Sequence, residues 1–467
     1  MAKKVAIIGG GIAGVTSALA LGERGVKVTL FEKNKTFISG PPFCHLHAGG
    51  NLYREISDTQ CATLLRQSID FAKLYPQAID KRPTVIALPA YDKQDPQDLV
   101  PRLEFLKEEY RKLIKDNSSN QVLGKADDYY ELFTKEQILA LADVKEKRLP
   151  KSNREWLIPF AKNIDFQAIK FPVIVVQEYG INLFRVGACA ALALEQFPNV
   201  KILRETEVTM VSKRGEKFLV TSDKTSEEFD YIINAAGFRT GIIDQFLDIQ
   251  EQRLLEFKAA YTSQWESRES LWPEVIFHGE RGTPRGMGQF TPYCGGYVQL
   301  HAMTQDITLC KECLVKSSED GSYPQLSKEL LEIIEQGWSK EKYSERTKRA
   351  INYLAQFFPQ FKVAKVGSQP LYGVQQIPGD DPSRRVAEVA FPIKNYARCE
   401  IVKVSSVVDM VKEIIKDLEG SKKEVSQELF EIESLKRLDE NAIAKRAQII
   451  ALNLKYPQEM SQICNYL

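Results

Sequence analysis

The stretch that most constrains this chain is Gly9-x-Gly11-x-x-Gly14, which follows the apolar run Lys4-Val5-Ala6-Ile7-Ile8. Residues 13–24 read as a helix opening directly from the turn, with Gly25 ending it. A second apolar run, 26–31, ends in Glu32, 18 positions after Gly14. Strand, turn, helix, second strand and terminal acid in this order form a dinucleotide fingerprint. Gly9 permits the tight turn, Gly11 lets the backbone approach a pyrophosphate, and Gly14 lets the helix pack against the strand. The amides of Gly10, Ile12 and Ala13 lie at the positive end of the helix dipole, where phosphates bind. Glu32, with Lys33 beside it, is placed to accept from a ribose diol. The competing reading is a plain βαβ unit with a glycine-rich loop.

The 467 residues suffice for two or three domains, or for one large interleaved unit. Hydrophobic residues make up 43% and charged residues 27%, as in an ordinary globular enzyme. A formal net charge of +1 leaves no bulk field to attract nucleic acid. No apolar run approaches the roughly 18 residues of a membrane span. With a strand beginning near residue 4, no signal peptide is expected, so the chain reads as intracellular. The eight cysteines are scattered, which makes reduced thiols the expectation. Cys310-x-x-Cys313 has redox-pair and half-zinc-site readings, but no second Cys/His pair stands at zinc spacing, and no metal is expected.

Along the chain, helical spacing marks 59–75, 99–113 and 184–196, and a capping box at Thr134 opens a short helix over 138–142. Residues 157–168 are ambiguous. Strands are expected over 84–89 and 200–203, with a hairpin over 207–221. The run 229–237 ends in Asn234-Ala235-Ala236-Gly237, small residues that let a backbone pass something bulky. Residues 254–309 read as a β-rich insert, with a hairpin turning at Gly295-Gly296. The hairpin and the loop before it hold Arg281, Arg285, Gln289, Tyr293, Gln299 and His301, unusually polar for a sheet. Helices over 327–336 and 340–358 follow, then an extended, turn-rich run over 369–382. Strands over 386–391 and 399–404 precede a helix over 407–418, which Ser405-Ser406 are expected to cap. The tail, 421–467, reads as charged helices docked on the rest.

The chain resembles the D-amino-acid oxidase superfamily of FAD-dependent oxidoreductases, in the branch of glycine oxidase and L-2-hydroxyglutarate oxidase. The resemblance spans about residues 3–418 and rests on four patches: the glycine turn with Glu32, Leu46-His47-Ala48-Gly49 with Tyr53, Val208 with Ala236-Gly237, and Ser405-Ser406. It implies FAD in the glycine-rich site. It further implies a flavin-side loop at His47-Ala48-Gly49, an adenine contact from the Val208 backbone, and a helix N-terminus at Ser405-Ser406 facing the flavin pyrimidine. The absence of a second complete G-x-G-x-x-G also favours FAD alone over a reductase that binds NAD(P)H as well. Two blocks depart from the family pattern: Gly379-Asp380-Asp381-Pro382 and Ala397-Arg398-Cys399-Glu400.

The expected fold is α/β. It has a Rossmann-type FAD-binding domain (1–60, 171–245 and 366–418) interleaved with an α+β substrate domain on a mainly antiparallel sheet (61–170 and 246–365), and a helical tail (419–467). The expected chemistry is hydride transfer to flavin N5 from a small amino acid, amine or 2-hydroxy acid, with O₂ or a quinone as electron acceptor. A substrate carboxylate calls for a guanidinium fork; Arg285 is the first candidate, Arg384 and Arg385 the second, Arg281 the third. Tyr293 and His301 are candidate proton acceptors or substrate donors. Two alternatives are a dehydrogenase peripheral to the inner face of a membrane, with the tail on the bilayer, and a flavin-binding protein without turnover.

Overall fold

The chain crosses repeatedly between two sheets. A computed structural model describes residues 3–37, 46, 56–265, 271–310, 312–318, 321–420 and 432–463. Strand β1 (Lys4–Ile8), helix α1 (Ile12–Glu23) and strand β2 (Lys27–Phe31) open the first sheet. Helix α2 (Asp58–Leu74) then leads to β3 (Thr84–Ala87), β4 (Tyr130–Phe133) and β5 (Val173–Val176), all in the second sheet. The crossing back to the first sheet therefore lies beyond 176. Helix α3 (Leu183–Leu194), β6 (Val200–Leu203) and β7 (Tyr231–Asn234) return to the first sheet. A three-stranded sheet over 208–229 lies between β6 and β7.

Four strands, β8 (Arg253–Gln264), β9 (Glu274–Phe277), β10 (Gly288–Pro292) and β11 (Tyr297–Ala302), make up the heart of the second sheet, with β12 (Leu314–Lys316) at its edge. Helix α4 (Lys340–Leu354) covers it, and β13 (Lys365–Pro378) pairs along β8. The chain ends on the first sheet with β14 (Val389–Ala390), β15 (Tyr396–Cys399) and helix α5 (Val407–Glu419), followed by α6 (Glu440–Asn453) in the tail.

The first sheet runs β14-β15-β7-β1-β2-β6 and is parallel except at the β14 edge. Its β1, β2 and β7 are almost wholly buried, as a parallel sheet covered on both faces requires. α1 is buried from Ala13 to Gly22, between α3 and α5. The second sheet has nine strands and is antiparallel except where β9 pairs with β3.

The tail packs α6 against α3, and Asn182 ahead of α3 donates to the Met460 carbonyl at 2.9 Å. No helix of the described residues is long and apolar enough to cross a membrane.

Several expectations need correction. The run over 369–382 is largely strand: β13 continues to Pro378. Pro370 falls where the β8–β13 register shifts, between the pairs Ala260–Leu371 and Thr262–Ser368, and an irregularity accommodates a residue with no N–H. The strand expected over 399–404 ends at Cys399, because a 3₁₀ turn over Val404–Ser406 follows. Of the ambiguous 157–168 segment, residues 157–163 belong to a helix over Asn153–Asn163, capped by Ser152, and the remainder lies beyond its end. The thiols are not all reduced: Cys310 and Cys313 form a disulfide across their tight turn, with Cα atoms 5.1 Å apart, and Cys294 is also disulfide-bonded. Cys61, Cys189 and Cys399 are free and buried.

Candidate functional site

At the glycine turn, Gly9 has φ +105°, and a Cβ there would lie 2.3 Å from the Ala235 carbonyl oxygen. A Cβ on Gly14 would lie 1.8 Å from the Gly9 oxygen. The turn, the start of α1 and the end of β7 therefore touch through backbone, and side chains at these positions would push them apart. No acidic residue stands in the first turn of α1 to compete with a phosphate for its dipole. Gly11, its N-cap, and Ile12 are only partly buried, so the helix end is approachable.

Glu32 follows β2 and is 5% exposed. One carboxylate oxygen accepts from the Gly10 amide at 2.6 Å, the other from Asn34 at 2.7 Å. Burial pushes its carboxyl pKa up, against the downward pull of those two bonds. Lys33 is exposed beside it. Val208 begins the three-stranded sheet and packs on its core. Beyond β7, Ala236 is partly buried, and Gly237 has φ +61° with open space where a Cβ would stand. His47, Ala48, Gly49 and Tyr53 lie outside the described residues.

Ser405 and Ser406 are buried ahead of α5, but neither side chain caps the helix. The Ser406 hydroxyl instead donates to the Gln67 side-chain oxygen on α2 at 2.9 Å. Gln67 in turn donates to Asp409 at 2.9 Å and Glu388 at 3.1 Å, tying α2 to the start of α5. Ser405 Oγ, 1% exposed, has no hydrogen-bond partner among the described residues. A buried hydroxyl without a partner is costly.

The second sheet has two unlike faces. Phe257, Tyr261, Val275, Phe277, Phe290, Val298 and Leu300 turn to α4 and form an aromatic-rich core with Phe357, Phe358 and Phe361. The alternate residues turn the other way. On that face Gln289 stands opposite His301, and Thr291 opposite Gln299. Ile86, Leu88, Ile174, Val176 and Leu371, also on that side, join the cluster holding α1, α2, α3 and α5. The polar residues of the sheet are thus buried toward the nucleotide-binding half.

Tyr293 donates to Gln299 at 3.3 Å, and His301 Nε2 lies 3.0 Å from Met303 Sδ. These sequence-derived candidates are brought to one region. Arg285 is not: it is exposed, with its guanidinium 4.6 Å over the Tyr91 ring, near Tyr353 of α4 on the other side of the sheet. Its cation–π seat on Tyr91 holds it away from the polar face. Arg385 is buried after β13 and donates to the carbonyls of Pro382 and Arg384 at 2.8 and 2.9 Å.

Sequence reading missed Lys258 and Glu256 of β8 and Gln375 of β13. Lys258 Nζ donates to Gln375 Oε1 at 2.7 Å and lies 3.0 Å from Glu256 Oε2. Gln375 passes the chain on by donating to the Val402 carbonyl at 2.5 Å, three residues before Ser405. The signal was available: Glu256 and Lys258 are the two charges in the otherwise apolar run 254–261, two apart and so on one face of a strand.

The donor set fits FAD. The glycine turn and α1 N-terminus suit a pyrophosphate, the buried Glu32 suits a ribose diol, and the Ser405 hydroxyl, without a partner among the described residues, has a hydrogen bond to give. Residues 4–165 match the family model described as DAO, FAD dependent oxidoreductase. No curated protein matches the chain. Among solved structures, glycine oxidase from Geobacillus kaustophilus is 12% identical with a TM-score of 0.56, covering 92% of this chain and 98% of that one. NikD, an unusual amino acid oxidase essential for nikkomycin biosynthesis, is 12% identical at TM-score 0.60, with coverage of 92% and 96%. L-amino acid deaminase from Proteus vulgaris is 14% identical at TM-score 0.58, with coverage of 94% and 97%. These likenesses give the fold across nearly the whole chain, and the family match gives its nucleotide-binding opening. Over residues 4–165 the chain is thus similar to the DAO family of FAD-dependent oxidoreductases, and over nearly its whole length it shares the fold of these solved structures.

Proposed function

We propose that the chain oxidises a small amino acid, amine or 2-hydroxy acid at the buried polar face of the second sheet. The observation carrying this reading is the register that puts Gln289, Thr291, Gln299 and His301 on one face, turned toward the nucleotide-binding half. FAD, when bound, supplies the hydride acceptor at its N5. Gly9 to Gly14 hold the pyrophosphate through amides, Glu32 the ribose, Val208, Ala236 and Gly237 the adenine side, and Ser405 and Ser406 the pyrimidine end. His47, Ala48 and Gly49 are proposed, from the resemblance alone, to border the flavin.

On the substrate side, His301 is a candidate to take a proton, histidine being the side chain most often used as a general base. Tyr293 and Gln299 orient the substrate by hydrogen bonds. The aromatic core behind the sheet keeps water from that side. The electron acceptor is O₂ or a quinone.

Purified protein is tested anaerobically with panels of amino acids, amines and 2-hydroxy acids. Loss of the absorption near about 450 nm with one class names the substrate. A yellow protein that none of the three classes bleaches would sink this reading. Reoxidation by O₂ compared with a quinone analogue separates the two acceptors.

A further inference from the structure

We infer that Cys310 and Cys313 form a thiol–disulfide exchange site, at which a small thiol or its disulfide reacts with Cys310 and Cys313 resolves the product. The inference goes beyond the proposed oxidation and is independent of it.

The pair sits in a turn that is held on both sides. Ahead of it, Arg346 of α4 donates to the Ile307 carbonyl at 2.9 Å. The Thr308 amide donates to the Ala302 carbonyl at the end of β11 at 3.1 Å, and the Leu309 amide to Thr304 at 3.0 Å. Beyond the pair, the Cys313 carbonyl accepts from the Phe257 amide of β8 at 2.7 Å, and β12 pairs along β8. The turn itself is closed by the Cys313 amide, which donates to the Cys310 carbonyl at 3.2 Å, with the Cα atoms 5.1 Å apart. The backbone therefore keeps the two sulfurs near each other whether or not they are bonded. A bridge over so short a loop also constrains the unfolded chain least, so holding the fold is not its main return.

The two sulfurs are unequal. Cys313 is 4% exposed and belongs to the aromatic-rich core, whereas Cys310 is only partly buried at the edge of that core. Exchange requires an incoming thiolate to reach the sulfur it attacks, which directs it to Cys310. The free cysteines of the described residues, Cys61, Cys189 and Cys399, are all buried. Burial pushes the Cys61 thiol up to about 11 and the Cys189 thiol up to about 12, and raises that of Cys399 as well. These three stay protonated and unreactive.

The exchange balances in both directions. In reduction, a small thiolate attacks Cys310 Sγ and the bond between the two protein sulfurs breaks. Its electron pair goes to Cys313 Sγ, which takes up a proton. A second small thiolate then attacks the small-molecule sulfur of the mixed disulfide, and Cys310 leaves and is protonated. Two thiols are oxidised to one disulfide while the protein gains two electrons and two protons. In oxidation, the Cys310 thiolate attacks a small disulfide and expels one thiolate. Cys313 then loses its proton, attacks Cys310 Sγ, expels the second and closes the bond.

The test uses the full chain in buffers of set glutathione to glutathione-disulfide ratio. Acid quenching and peptide mapping read Cys310 and Cys313 separately from Cys294. The wild type is expected to pass reversibly between dithiol and disulfide as the ratio changes, with unchanged circular dichroism and with glutathione found transiently on Cys310. Cys313→Ser is expected to trap glutathione on Cys310. Cys310→Ser is expected to take it on Cys313 at least about tenfold more slowly. A pair that opens only on unfolding, or glutathione that collects on Cys313 as fast as on Cys310, overturns the proposal. The transient adduct of the wild type decides between the two sulfurs even if a variant fails to fold. The visible spectrum of the same samples reports flavin, so failure of the exchange site and failure of the flavin reading give different results.

Discussion

The Glu32 carboxylate accepts from the Gly10 amide at 2.6 Å, so the acid at the end of the second strand fastens the glycine turn after the first. Removing it affects both the turn and the nucleotide. Glu32→Gln is expected to weaken FAD binding about 10- to 100-fold, the range for losing charge-assisted hydrogen bonds. Flavin released on dilution measures it.

The same residue sets a pH dependence in the apoprotein. Burial raises its folded pKa above the unfolded value. Between the two values the folded chain holds a proton that the unfolded chain lacks. Stability from this group therefore falls as pH rises through that window, which starts at the ordinary carboxylate value and extends upward. Thermal unfolding of apoprotein and of Glu32→Gln should diverge there, with the variant showing the flatter slope.

Gly14→Ala is expected to lower stability by about 1–3 kcal/mol even without cofactor, because the new methyl meets the Gly9 carbonyl. Urea unfolding of the apoprotein checks this. An unchanged midpoint would mean that the turn is slacker than its backbone contact indicates.

The two serines before α5 should separate cleanly. Ser406→Ala removes the bond to Gln67 and should cost about 1 kcal/mol of apoprotein stability. Ser405→Ala removes a hydroxyl with no partner among the described residues and should cost the apoprotein nothing, while shifting the visible spectrum of the loaded protein. Equal destabilisation by both would argue against a cofactor role for Ser405.

Asp244 is wholly buried and binds Arg253 at 2.5 Å and Arg398 at 3.0 Å, with Tyr396 donating at 2.6 Å. It joins the second sheet to β15 of the first. Asp244→Asn leaves the buried Arg253 guanidinium without its carboxylate, while Arg398 keeps Glu400 at 2.7 Å, and should cost about 3–5 kcal/mol. Denaturant unfolding followed by both tryptophan fluorescence and circular dichroism provides the measurement.

The dinucleotide half was legible because its signals are local. A β-branched run, glycines at fixed offsets and a terminal acid are all read within residues 4–32. The polar character of the hairpin over 288–301 was equally visible, because strand alternation is a period-two signal. Arg285 could not be placed, since a guanidinium in a turn goes to whichever partner the fold supplies, and Tyr91 is remote in sequence. The serines read as caps because Ser is a common N-cap; their actual environment depends on Gln67, more than 300 residues earlier. Glycines and prolines made β13 look broken, whereas pairing with β8 holds it extended.

The two ends of the proposed cofactor site, Gly14 and Ser405, are 391 positions apart. At about 5–20 residues per second, the glycine turn leaves the ribosome roughly 20–80 s before the helix that completes its sheet. β15 must pair with β7 before the first sheet is whole, so no nascent fragment can present the full binding surface. A cofactor held along this whole surface therefore binds only after β15 and the helix behind it have been made, however early the glycine turn emerges.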